Sequence, residues 1–259
     1  MDYKKLSNQP LKFVLAEFKF SPVLQMDRFI PEVQEAFRKK FPIVQSKTDR
    51  IVQVFNDMVE TKDVTRWSFI SPDKSQAIEL DQERIIYFTS VYDRFEGFAI
   101  SCENILKVLS DVVDPSLIQR IGLRYSDLVV LENHEKMTDL VNTHFTCPDV
   151  LSGLGSNKQQ KTEILINTDV GKLAIRTLYG VHELSHSLDL LGRLPISIQL
   201  NSSSNERIIL DFDHFWEALD NPVEFNNKYI VHKLTELHQI AREAFWCLTT
   251  EYARDIKWT

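Results

Sequence analysis

The tetrapeptide Glu83-Arg84-Ile85-Ile86 returns as Glu206-Arg207-Ile208-Ile209 in a chain of 259 residues, an offset of nearly half its length. A repeat constrains architecture more than any isolated motif, because each copy has to solve the same burial problem in the same order. The flanks agree. An alternating stretch precedes each copy, Ile78-Glu79-Leu80 and then Ile198-Gln199-Leu200, and an aromatic-rich run leading into a long amphipathic segment follows each. The chain therefore reads as two related halves, residues 1–116 and 117–259, in one integrated globule.

Periodicity fills in each half. Residues 11–20 carry Val14, Ala16, Phe18 and Phe20 on one parity, as a strand with an apolar face does, and Pro22 closes them. Phe29, Val33, Phe37 and Phe41 make the stripe of an amphipathic helix over 26–41, with Pro31 in its first turn. Short strands are expected at 51–55, 65–70, 77–80 and 84–91, separated by turn-forming residues such as Ser71-Pro72-Asp73-Lys74-Ser75. A helix over 95–113 ends at Asp114-Pro115. The second half repeats the order. A strand over 118–131, whose Ile121, Leu123 and Tyr125 echo Val14, Ala16 and Phe18, precedes a helix over 135–145. Strands follow at 163–168, 172–179, 195–200 and 207–212, and a long helix begins near 222–226 and runs towards 253. Two inserts, 147–161 and 180–194, distinguish it from the first.

The expected fold is thus α+β: two β-α-β4-α units forming a curved antiparallel sheet with the long helices on one face. That is the topology of the TATA-binding-protein-like fold, and it follows from pairing a meander's single apolar face with a helix's apolar stripe. Composition sets the remaining bounds. With 43% hydrophobic and 26% charged residues, the chain has the makings of an ordinary folded protein. No apolar run reaches the length of a membrane-spanning helix and the first residues form no signal-like stretch, so a cytoplasmic location is expected. Cys102, Cys147 and Cys247 are odd in number and far apart, as free thiols in a reducing compartment would be. A net charge of −7 argues against nucleic acid as a partner, since phosphate backbones are held by clustered Lys and Arg.

The stretches Leu11 to Pro22, Trp67-Ser68-Phe69-Ile70-Ser71-Pro72-Asp73, Tyr92-Asp93-Arg94-Phe95-Glu96-Gly97-Phe98 and Arg120-Ile121-Gly122-Leu123-Arg124-Tyr125 together resemble an uncharacterised, sporadically distributed prokaryotic family of about this length, over essentially the whole chain. The resemblance implies a bacterial or archaeal cytosolic protein, with an accessory and conceivably phage-defence role. It implies no activity and no catalytic residues.

Three groups of residues are candidates for chemistry. His182-Glu183-Leu184-Ser185-His186 is a formal H-E-x-x-H string: on a helix, His182 and His186 would share a face and could bind zinc, with Glu183 activating a metal-bound water. The string stands against a plain surface helix in a loop. Asp211, Asp213, His214 and Glu217 could serve as acid, base or ligand, or be solvated residues leaving a strand. Asp93 and Arg94, at the corresponding strand-to-helix junction of the first half, could contact a ligand or partner, or Asp93 could simply cap the helix. Gly153-Leu154-Gly155-Ser156-Asn157-Lys158 lacks the spacing of a phosphate loop, and no nucleophile elbow is present. Phe13, Phe18, Phe20, Trp67, Phe69, Tyr87 and Phe88 could line a cavity between sheet and helix, or be core. The reading is of a non-enzymatic binding or interaction protein without a cofactor, self-associating as a homodimer or binding another protein. A zinc-dependent hydrolase and a small-molecule binder with its site between sheet and helices are the alternatives.

Overall fold

The computed structural model describes all residues except 1–2, 56–57, 133–134, 157, 199–204 and 219–220. Its first half runs β1 (Leu11–Phe20), α1 (Ile30–Phe37), β2 (Ile43–Phe55), β3 (Met58–Ile70), β4 (Gln76–Leu80), β5 (Arg84–Thr89) and α2 (Phe95–Val112). The second runs β6 (Leu117–Val130), α3 (Met137–Leu140), β7 (Gln159–Asn167), β8 (Lys172–His182), β9 (Asn205–Glu217), β10 (Val223–Glu224) and α4 (Asn227–Leu248). The strands form one open antiparallel sheet in the order β2-β3-β4-β5-β1-β6-β9-β8-β7, with β10 added to β6. The protein is therefore α+β. Among the described residues no helix is long and apolar enough to cross a membrane.

β1 and β6 are antiparallel neighbours at the middle of the sheet, with Val14↔Tyr125, Ala16↔Leu123 and Phe18↔Ile121 in register. The repeated tetrapeptides fall on β5 and β9, which flank β1 and β6 on either side. Alternate residues of these strands, such as Phe18, Tyr87, Leu123 and Phe212, join the inward stripes of α2 (Phe98, Cys102, Leu106) and α4 (Leu234, Leu237, Ala241) in one buried cluster. Period two in the strands and period 3.6 in the helices meet there, so a single apolar interior is assembled from both halves. α4 starts where it does because the Asn226 side chain accepts a hydrogen bond from the Tyr229 amide at 3.0 Å, satisfying one of the free donors of the first turn.

Several sequence expectations are corrected. The strand expected over 195–200 is not found: residues 195–198 are irregular, and 199–200 lie outside the described residues. Ile196, together with Leu190, Leu194 and Ile198, instead packs on Phe13, Ile70, Ala77 and Phe88, while the Ser197 amide bonds to the Lys74 carbonyl at 2.8 Å. The segment after β8 is thus a strap running to the β3–β4 turn. The helix expected over 135–145 is broken, since Val141 takes an extended conformation and bridges to Thr249, leaving α3 and a 3-10 turn at Thr143–Phe145. The β2–β3 hairpin is far longer than the expected 51–55 and 65–70. The stretch before the expected 51–55 is polar on both faces, as in Gln45, Ser46, Lys47, Thr48, Asp49 and Arg50, and leaves no apolar stripe to read. β9 runs on through Glu217, held by β6 on one side and, as far as Phe215, by β8 on the other, so residues 211–217 are strand and not a junction.

The turn joining β7 to β8 is closed by a Thr168 amide to Gly171 carbonyl bond of 2.8 Å. A Cβ at Gly171 would meet the Phe215 carbonyl group, 2.9 Å from its carbon, and lie 3.2 Å from Trp216 Cα. Both are backbone atoms of β9 and cannot step aside. Gly171→Ala is expected to cost about 1–3 kcal/mol, the range of an overpacked interior, measured as a lower midpoint in urea unfolding. An unchanged midpoint would show that the turn can move away from β9.

Candidate ligand-binding site

A cavity of about 160 Å³ lies where the N-terminal segment, the start of α2, the middle of α4 and strands β6 and β9 meet. Ala241, the small residue of the α4 stripe, borders it, and rings of Tyr92, Phe95, Phe212, Phe245 and Trp246 provide much of its wall. Residues 3–9 close the outside. Tyr3 stands edge-on to Trp246 with centroids 5.0 Å apart, Gln9 Nε2 donates to the Tyr92 carbonyl at 2.7 Å, and Lys4 pairs with Asp255 at 2.7 Å.

The polar floor is unusual. Asp127 sits on β6 on the same parity as Leu123 and Tyr125, is only 4% exposed, and lines the cavity. Among the described residues its carboxylate makes no hydrogen bond and no ion pair. Burial, followed by the negative charge of Asp211, pushes its pKa up to about 8. Beside it the Tyr125 hydroxyl shares a 2.8 Å hydrogen bond with His238 Nδ1 and lies 3.4 Å from the Tyr92 hydroxyl. His238 is stacked flat on Phe95, centroids 4.0 Å apart and 3° between planes. Burial, then the Arg242 charge, pulls its pKa down to about 3, so the ring is neutral near pH 7. Burial holds the Tyr92 phenol up at about 12 and that of Tyr125 well above its usual value, so both keep their protons. The guanidinium of Arg242, another lining residue, lies 4.0 Å over the Tyr3 ring, and its buried Nε has no hydrogen-bond partner.

The candidates raised from sequence are distributed over the molecule. Asp93 and Arg94 are at the cavity: Asp93 pairs with Lys5, which also lines it. Asp93 does not cap α2. The cap position is Arg94, in extended conformation and without a side-chain cap bond. The helical presentation that H-E-x-x-H requires is not formed, because β8 ends at His182 and Glu183, Leu184 and Ser185 are irregular. His182 Nε2 lies 3.3 Å from the Leu178 carbonyl, while buried His186 bonds through Nδ1 to the Ser187 carbonyl at 3.1 Å and packs edge-on to Phe13. Among the described residues no three His, Cys, Asp or Glu side chains converge as a metal would need.

Asp211, Asp213 and His214 are split by the pleat of β9. Asp211 is fully buried, not solvated: Arg124 Nε donates to both its oxygens at 2.9 and 3.0 Å, and the same guanidinium grips Asp189 of the strap at 2.8 and 2.9 Å. His214 belongs to the other face, also fully buried, with Nδ1 donating to the Leu237 carbonyl at 2.9 Å and Nε2 left to accept from Thr168 at 2.9 Å. The aromatic residues Phe13, Phe18, Phe20, Phe69, Tyr87 and Phe88 are buried core, and neither they nor Trp67 line this cavity.

A charge ladder also went unread in the sequence. One residue from each of nine strands forms a line of alternating sign: Asp49, Arg66, Glu79, Arg84, Glu17, Arg120, Asp213, Arg176 and Glu163. Arg66 is 2.7 Å from Asp49 and 3.8 Å from Glu79, and Arg84 is 3.0 Å from Glu17, which also meets Arg120. Arg120 then reaches Asp213 at 3.8 Å, and Arg176 bridges Asp213 at 3.5 Å and Glu163 at 2.9 Å. Such cross-strand pairs contribute roughly 0.2–1 kcal/mol each, but a one-residue slip would remove them from this face, so together they select register. Asp127 did carry a sequence signal: it is a carboxylate that follows Ile121, Leu123 and Tyr125 on the apolar parity of β6. No protein-family model matches the chain, and no curated protein is significantly similar to it.

Proposed function

We propose that this is a non-enzymatic binding protein whose ligand is a small molecule held between the sheet and helices α2 and α4. One observation carries the reading: Asp127, a buried carboxylate without a partner among the described residues, lines a cavity walled by aromatic rings. Burying an ionisable group unpaired is costly, and protein interiors normally supply its hydrogen bonds. A ligand that completes them recovers that cost. The combination of a concave, mainly aromatic wall with a few convergent polar groups of strongly shifted pKa is what small-molecule sites share.

The architecture we infer around this site is a pseudo-duplicated saddle of the TATA-binding-protein-like kind, its long helices on one side. The central pairing of β1 with β6, the placement of the repeated tetrapeptides on their flanking strands, and a long helix closing each half all support it. Within the charge ladder each guanidinium is already opposite a carboxylate, which favours a structural role for that face over recognition of a phosphate backbone.

The test is a fragment screen followed by protein NMR, observing the Trp246 indole. Small aromatic and amphiphilic fragments at millimolar concentration are expected to shift it, and Ala241→Trp, which fills the cavity, is expected to abolish the shifts in a protein that still unfolds cooperatively. If no fragment moves Trp246, or if the same fragments bind equally to a folded Ala241→Trp protein, the cavity is not a ligand site.

A further inference from the structure

The cavity contains two unpartnered groups of complementary kind, an acid and a guanidinium. Among the described residues the Asp127 carboxylate has no hydrogen-bond or ion-pair partner, and the Arg242 guanidinium has a ring beneath it but no acceptor for its buried Nε. Both residues line the same cavity, yet among the described residues they form no ion pair with each other. They therefore border a common space that neither fills. The other cations of the wall are differently placed: Lys4 is paired with Asp255 and Lys5 with Asp93, while Arg94 is exposed at the rim.

We propose that the ligand is a small zwitterion of the amino-acid class, its ammonium group meeting Asp127, its carboxylate meeting Arg242, and its apolar part lying among Phe95, Phe212 and Phe245. This rests on reading the cavity as a ligand site and names the chemistry of its occupant. A simple amine would satisfy Asp127 but would bring a second positive charge to Arg242. A simple acid would satisfy Arg242 and face Asp127. A molecule carrying both charges a few bonds apart pairs each orphan, and charge-assisted hydrogen bonds are the strong ones. The space suits such a ligand, because about 160 Å³ is close to the cavity of about 150 Å³ that holds benzene in an engineered protein interior. The aromatic wall adds favourable faces for the ammonium end.

The experiment is calorimetric titration of the full chain with two matched sets: L-phenylalanine, 2-phenylethylamine and 3-phenylpropanoate, and L-leucine, 3-methylbutylamine and 4-methylpentanoate. An amino acid is expected to bind at least about tenfold tighter than the amine and the acid of its own set, a difference of about 1.4 kcal/mol. In Asp127→Asn the advantage over the acid is expected to disappear, and in Arg242→Gln the advantage over the amine. Those two crossed losses are specific, because a general disturbance of the cavity would weaken all three members of a set together. The proposal is overturned if an amine equals its amino acid and Arg242→Gln leaves that equality intact, if an acid does so in the same way with Asp127→Asn, or if none of the six binds. In that last case the fragment screen separates the two claims: Trp246 shifts caused by compounds of other chemistry would keep the ligand site and remove only the zwitterion, whereas no shifts would remove both.

Discussion

Arg124→Met is expected to lower the unfolding free energy by about 3–5 kcal/mol, the range for removing one member of a buried ion pair. Arg124 is 7% exposed and Asp211 fully buried, so the substitution strands a carboxylate inside the sheet. Asp211 retains the Ser187 side chain and Arg176, whose Nη1 is 3.6 Å away, and burial already raises its pKa against the opposing pull of Arg124. Without Arg124 its pKa rises further. The sign follows: below the unfolded carboxylate pKa of about 3.9 the group is neutral in both states and this part of the loss vanishes, whereas with rising pH the folded state alone resists ionisation and the loss grows. Denaturant unfolding at pH 4.5 and pH 8 should therefore give a larger difference at pH 8. The double variant Arg124→Met/Asp211→Asn should recover much of the loss, since replacing both partners removes the stranded charge. A loss under about 1 kcal/mol at pH 8, or no recovery in the double variant, would contradict a charge stranded by the mutation. A component independent of pH is expected as well, because Arg124 also ties down the strap through Asp189.

The second large effect has the opposite sign. Asp127→Asn should be more stable than the native protein at pH 8.5, by on the order of 3–6 kcal/mol, and nearly equal to it near pH 4. The pKa of Asp127 is pushed up to about 8 from an ordinary 3.8. Each unit of such a shift corresponds to about 1.4 kcal/mol. Between those values the folded protein binds a proton that the unfolded chain releases, so native stability falls as pH rises through the window, and the cost is complete above about pH 8. The groups around Asp127 leave this sign unopposed. Asp211 raises its pKa, Tyr92 and Tyr125 remain protonated, His238 is neutral, and Arg242 forms no pair with it. Thermal unfolding of both proteins from pH 4 to 9 measures the effect. Parallel curves would mean that the carboxylate is solvated or paired in solution. A protein that accepts an unpaired acid at this cost trades stability for a binding function, as sites generally do.

Local patterns were readable where burial is one-sided. The parity of Val14, Ala16 and Phe18, the stripe of α4 and the turn at Ser71–Ser75 all follow from period and turn chemistry, which residues carry in their own order. Residues 45–50 of β2 were not readable as strand, because polar residues on both faces leave no period to detect. The string from His182 to His186 shows the converse error. Its spacing fits a helix, but β8 runs into its first residue, and the following segment gains more by laying Leu190, Leu194 and Ile196 on an apolar patch of β1, β3, β4 and β5 than by coiling locally.

The amino-acid order by itself determined which residues of each strand and helix seek the interior, and in what succession the elements form, since those preferences depend on neighbours two to four positions away. Which side chains meet depended on the tertiary structure alone. Asp127 and Arg242 lie far apart along the chain and border one cavity only because β6 passes under α4, and nine strands align their charges only once register and strand order are set. Contacts of that kind are decided by long-range packing, whose free energy no local run of residues contains.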